Sequence, residues 1–194
     1  MKKLWMNNWA LMSFLPLLLL MPTQWSAVAD AEPEVVMDNQ ACSVYNHTFT
    51  AGEELTYKIY YNLNFVWIPA GEVVFSVRDV GSQYHISAVG ETYSSYEWFF
   101  KARDSYEVYI DKQSLLPSLS IRDIQEGKFT LYDKITYNQS ENKTYSVRGS
   151  SKSEIKERNE YEVGNCMHDI LSIIYYARNV NYASLDVGEH FPIE

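Results

Sequence analysis

The chain has 194 residues, 15 % of them aromatic, and 16 lysines and arginines against 25 acids give a formal charge of 16 − 25 = −9. That length suits one domain with a sizeable core, and so aromatic a chain is not disordered. The acidic balance repels a phosphate backbone and argues against nucleic-acid binding.

The first predicted element is a secretory leader over residues 1–29. Lys2 and Lys3 are its basic end, and Trp9 to Met21 is an apolar run of 13 residues, short of the ~20 that a spanning helix needs. Ala27-Val28-Ala29 offers small residues to a signal peptidase, with Ala29-Asp30-Ala31 as second choice and an uncleaved anchor as the alternative. Without the leader the charge is 14 − 25 = −11, and no transmembrane span is expected. Asn39-Gln40-Ala41 before Cys42 is not a lipid-attachment pattern, so a soluble exported protein is expected rather than a lipoprotein. Residues 30–47 read as a loose mature N-terminus and residues 48–194 as a single β-rich domain.

Glu54 to Tyr61 alternates, with Leu55, Tyr57, Ile59 and Tyr61 on one face, which predicts a half-buried strand. The apolar stretch Asn62 to Pro69 ends at a break, Pro69-Ala70-Gly71. Glu72 to Val80 and Gln83 to Tyr93, joined by Gly81-Ser82, read as a hairpin. Glu97 to Phe100 is a short connection, and Asp104 to Ile110 is another strand. Pro117 places a turn over Lys112 to Pro117. Leu119 to Gln125, Lys128 to Tyr137 and Lys143 to Arg148 complete a meander. Gly149 to Glu157 reads as an exposed polar loop, and Tyr161 to Val163 as a last short strand.

One helix is predicted from Cys166 to Arg178, with Asn165 as N-cap and an apolar stripe of Met167, Ile170, Leu171, Ile174 and Ala177. Such a stripe must bury itself against a sheet. The fold class expected is mainly β: a curved antiparallel sheet or partial β-barrel with this helix packed on one face. The last residues, from Asp186, open an extended segment that reads as cut short at Glu194.

No catalytic motif is evident. None of the serines has the elbow context of a hydrolase triad, and Glu97, Asp104, Asp123 and Glu126 could be arranged as a glycosidase pair only as in any acidic β-protein. An unrecognised hydrolase is the third reading. Cys42, His47, Cys166 and His168 have poor spacing for zinc, so no metal or cofactor is expected. Cys42 and Cys166 are a disulfide candidate in an oxidising compartment, with two buried thiols as the alternative.

Two charge pairs, Arg103-Asp104 and Arg122-Asp123, sit among aromatics. They either pair across neighbouring strands and set the register, or Arg103 and Arg122 hold an anionic group. Tyr57, Tyr61, Trp67, Trp98 and Phe100 either fill the core or line a ligand concavity. The candidate ligand-binding set is Tyr57, Trp67, Trp98, Phe100, Arg103 and Arg122. The partner expected is a lipid or other apolar envelope molecule, with another envelope protein as the alternative. Asn46, Asn138 and Asn142 head glycosylation sequons that matter only in a eukaryotic route.

Several ordered motifs resemble an exported bacterial family. They are Gly52-Glu53-x-Leu55-x-Tyr57, Ala70-Gly71-Glu72, Trp98-Phe99-Phe100-Lys101-x-Arg103-Asp104, Leu115-Leu116-Pro117, Arg122-Asp123-x-x-Glu126-Gly127 and Asp169-Ile170-Leu171-Ser172-x-x-Tyr175-Tyr176-x-Arg178. The family is catalogued as domain of unknown function 3108 (DUF3108), and the chain looks similar to members from Bacteroides-like bacteria. The resemblance implies a periplasmic setting, a mainly antiparallel β fold, no use of the sequons, and further strands beyond Glu194. It brings no activity and no site residues.

Overall fold

The computed structural model describes Cys42, residues 44–184, Asp186 and Gly188. All belong to one compact unit, Met37–Glu194. The expectations for residues 1–41, and for most of the segment after Ser184, lie outside the described residues.

Eight strands form a single antiparallel, curved sheet in chain order. They are β1 (Glu54–Leu63), β2 (Val66–Val80), β3 (Gln83–Thr92), β4 (Ala102–Asp111), β5 (Pro117–Glu126), β6 (Phe129–Asn138), β7 (Lys143–Ser151) and β8 (Glu154–Glu162). β1 and β8 are opposite edges and do not pair, so the sheet is not closed into a barrel. One helix, α1 (Ile170–Ala177), packs on one face over β3 and β4.

Period-two alternation decides which residues meet that helix. Val77, Ile86, Val108 and Ile110 stand on one face of β2, β3 and β4, with Ile86 opposite both Val77 and Val108. They bury against Leu171 and Tyr175 of α1, with Phe49 and Leu115 closing the ends. Phe49 lies edge-on to Tyr175 at 4.9 Å and to Tyr84 at 5.3 Å between ring centres. The core therefore fills the half of the sheet near the β2–β3 and β4–β5 turns. The other half of the same face is not packed under α1, although Ala88 and Ile124 are buried there.

The helix is shorter than expected and starts later. Cys166 has φ +61°, which breaks helical geometry. Asp169, not Asn165, is the N-cap: its carboxylate accepts from the backbone N–H of Leu171 and Ser172, and Ser172 Oγ accepts from Asp169 N. This reciprocal cap outcompetes Asn165, whose side chain accepts from Asn142 instead. The buried stripe is also rotated. Leu171, Ser172 and Tyr175 face the sheet, while Ile170 and Ile174 are exposed. Tyr175 wins the inward position because its ring meets Phe49.

Three strand readings need correction. β2 does not break at Pro69 but runs through it, because a bulge between Ile59 and Tyr60 sets Pro69 at an irregular pairing. Pro117 does not end a turn but starts β5, beside a bulge between Tyr109 and Ile110. Gly149 to Glu157 is not a loop: it is the end of β7, a two-residue turn and the start of β8. β8 is polar on both faces and exposed along nearly all its length, so alternation could not announce it. Its charges suit an edge strand. The bulge that starts it needs glycine, since a Cβ on Gly149 would lie 1.9 Å from the Glu154 carbonyl oxygen.

Cys42 and Cys166 are joined by a disulfide, with Cα atoms 5.4 Å apart. It fixes the segment before Phe49 to the approach of α1. Arg178 reinforces the same junction. It donates from both terminal nitrogens to Glu53, at 2.6 and 2.8 Å, and to the Thr48 carbonyl at 3.1 Å. Asn179 accepts from His47 N at 2.9 Å and from Thr48 Oγ1 at 3.1 Å.

Candidate functional site

The half of the helix-bearing face not packed under α1 holds an apolar cleft of about 300 Å³. Small residues make the room: Ala88 and Gly90 on β3, Gly71 on β2 and Ala102 on β4. Ile59, Val73, Phe100 and Tyr106 form its walls, and Glu91 and Asp104 stand at its margin. Gly71 is also obligatory where the strands approach, because a Cβ there would sit 2.4 Å from the Glu91 carbonyl oxygen. Beside it, between α1 and the β1–β2 edge, a second cleft of about 490 Å³ is lined by Leu55, Tyr57, Phe75, Ile174, Tyr175 and Arg178. Arg178 is already neutralised there by Glu53.

The next strands turn the same face polar. Tyr106, Arg122, Asp133, Arg148 and Glu157 are register partners in one row from β4 to β8. Asp133 is buried to 1 % exposure, and its Oδ2 accepts from Nη2 of both Arg122 and Arg148, the latter at 3.0 Å. Its Oδ1 is buried without a hydrogen-bond partner. The side chains of Arg122 and Arg148 keep 37 % and 50 % of their surface exposed. Asp133 holds the Arg148 guanidinium even more firmly in its charged form, with Glu157 adding to the effect. A buried carboxylate thus positions two half-exposed guanidinium groups, whose remaining N–H groups can fork onto an oxyanion. Two rows nearer the core, burial pushes the Tyr137 hydroxyl up to about 12 while it bonds Ser120 Oγ at 3.0 Å.

The sequence-derived candidates divide. Tyr57 lines the second cleft, Phe100 lines the first, and Arg122 stands next to the first through its register partner Tyr106. Trp67 and Trp98 are exposed at the end of the sheet. Arg103 lies on the opposite face and pairs with Glu97 at 2.8 Å. Neither arginine pairs with the aspartate beside it or with that of the other motif. Arg122 bridges strands to Asp133, and Asp104 accepts from the backbone of Gln125. Sequence reasoning missed Asp133, Arg148, Gly90 and Tyr106. A signal existed: Leu131, Asp133 and Ile135 share one face, so Asp133 occupies a slot whose neighbours are apolar, as Arg122 does beside Ile124. Charges at such slots on adjacent strands call for each other.

His168, Asp169 and Ser172 resemble a hydrolytic triad in composition, and His168 Nδ1 lies 3.1 Å from Ser172 Oγ. The geometry assigns them to the helix cap instead. Ser172 is fully buried and its hydroxyl is committed to Asp169. Burial pushes the His168 imidazole from its ordinary 6.5 down to about 4. His168 is therefore neutral in the fold and must be protonated in acid. A depressed pKa contributes stability that is complete above pH 6.5 and is lost as pH falls through 6.5 toward 4, worth ~2–3 kcal/mol. The Asp169 carboxyl is raised by burial and acts in the opposite sense at the acid end. Urea titrations at stepped pH should show this loss, and His168→Gln should flatten the curve between pH 6.5 and 4.

Among the described residues no helix is long and apolar enough to cross a membrane, and no group of three or more histidines, cysteines or acids is placed to hold a metal ion. The model of the family described as Protein of unknown function (DUF3108) matches residues 56–194. That is well over half of the chain, which belongs to this family. No curated protein and no solved structure matches it.

Proposed function

We propose that this DUF3108 protein is an exported, periplasmic binding protein that carries an amphipathic anion of the cell envelope. The carrying observation is the contact of two environments on one face. An apolar cleft walled by Tyr106 adjoins, across one strand pairing, the Arg122–Asp133–Arg148 row. The acyl part of the ligand lies against Ile59, Val73, Ala88 and Phe100, and its charged head takes the free N–H groups of Arg122. Export is supported by the leader pattern of residues 1–29 and by the disulfide, which forms in oxidising compartments.

Native mass spectrometry of protein taken gently from its host should show a bound anionic amphiphile. In vesicle-free solution a fluorescent fatty acid should bind the stripped protein. Ala102→Trp, which fills the cleft, should abolish binding. Arg122→Leu should weaken it by about tenfold or more, the loss of a charge-assisted hydrogen bond. Bare protein from repeated extractions, together with no binding of the fatty acid, overturns the carrier reading and leaves an envelope protein that acts through protein contacts.

A further inference from the structure

The end of the sheet opposite the core carries an unusual surface. Phe65 is 97 % exposed, Trp98 83 %, Phe99 80 % and Trp67 65 %, with Phe129 also out in solvent. Antiparallel topology gathers them: the β1–β2, β3–β4 and β5–β6 turns all lie at this one end. We infer that this aromatic end is a docking surface for a zwitterionic lipid bilayer.

Three observations favour a bilayer over another protein or a second copy. The segment from Ile59 to Gly71 contains no charged residue, in a chain of net charge −9. In the β3–β4 connection the one acid, Glu97, is neutralised by Lys101 at 3.5 Å and Arg103 at 2.8 Å. With Glu126 and Lys128 on the β5–β6 turn, the end carries acids and bases together rather than the acidic excess of the chain, and it is interleaved with Asn62, Asn64, Ser94 and Ser95, which suits the headgroup zone where aromatic rings gather. The rings also stand on separate turns rather than line a hollow. A planar surface accepts such prongs, whereas a protein partner needs complementary shape.

The backbone that carries the prongs is held in place. β1 and β2 stay paired up to Leu63 and Val66, and Asn64 takes the left-handed conformation (φ +59°) of a tight turn. In the β3–β4 connection Phe99 N donates to Tyr96 O at 2.9 Å, and Tyr93 N donates to Ala70 O at 3.0 Å. A preset backbone loses little freedom on insertion. Ile59, Ala70 and Phe100 belong to these same segments and line the apolar cleft. The cleft therefore lies alongside the docked end, placed to exchange an acyl chain with the bilayer.

Beyond the leader the chain has two tryptophans, Trp67 and Trp98, and both are at this end. The stripped protein from Asp30 onward contains the whole compact unit Met37–Glu194. Mixed with phosphatidylcholine vesicles, it should show a blue shift in tryptophan emission, quenching by brominated acyl chains, and flotation with the vesicles. The double variant Phe65→Ser, Phe99→Ser should bind roughly tenfold more weakly or worse, while Tyr161→Ser, an exposed aromatic on β8, should bind as the parent does. Flotation without brominated-lipid quenching, equal binding by the double variant, or a blue shift that follows protein concentration in the absence of vesicles would overturn the inference. The last result would mark the end as a contact between copies. Because the cleft is assayed without vesicles and the aromatic end without ligand, either reading can fail while the other stands.

Discussion

Replacing Cys42 and Cys166 together by serine will lower the unfolding free energy by about 4–5 kcal/mol, the chain-entropy value for a closed loop of this length. The two residues are 124 positions apart, and the loop they close contains all eight strands. The unfolded chain gains most of that freedom when the bond is absent. The native state is weakened at one place, where the segment before Phe49 meets α1. Phe49, Leu171 and Tyr175 are buried there together, so loosening either side uncovers the core. Urea unfolding of the oxidised parent and the double-serine variant measures the difference. A loss below about 1 kcal/mol would mean that the bond merely joins ends already held. The holders would be the Arg178–Glu53 pair and the Asn179 bonds to His47 and Thr48. In that case Glu53→Gln should be the more damaging change. A peptide map without reductant, finding free thiols at both positions in exported protein, would remove the premise.

How far the sequence spoke depended on whether a strand had one wet and one dry face. β3 and β4 alternate between Ile86, Ala88, Val108 or Ile110 and polar neighbours, and their faces were legible. β1 was legible in period but not in burial: Tyr57 and Ile59 have the inward phase yet stay exposed, because α1 packs mainly over β3 and β4. β8 was invisible because an outer edge with two wet faces leaves no hydrophobic period. The helix was found, but its start and its rotation were not. Both depend on tertiary facts: the Cys42–Cys166 bond just before it and the ring of Phe49 beneath it. The candidate site followed the same logic. Phe100 and Arg122 announce themselves by composition. Gly90 and Ala88 matter only because adjacent strands place several small residues together, which no local pattern records.

Arginine and aspartate in the row across β5, β6 and β7 should respond unequally to removal. Arg122→Leu with Arg148→Leu leaves Asp133 charged at 1 % exposure with no partner. Breaking a buried pair from that side costs about 3–5 kcal/mol. Asp133→Leu leaves two arginines that already reach water, so its cost should fall to about 1–2 kcal/mol. Changing all three to leucine removes the uncompensated charge and extends the apolar surface of Ile124, Leu131 and Ile135 on the same face. That triple variant should be within about 1 kcal/mol of the parent. Thermal or urea unfolding of the three variants therefore has a predicted order that additive contact energies would not give. If the double-arginine variant is no worse than Asp133→Leu, the carboxylate is solvated and the row does not position its arginines. A triple variant that folds well but no longer binds the fatty acid separates the two roles. The row would then be dispensable to the fold and required by the ligand, since it is the exposed guanidinium surface, not the buried carboxylate, that an anionic head can reach.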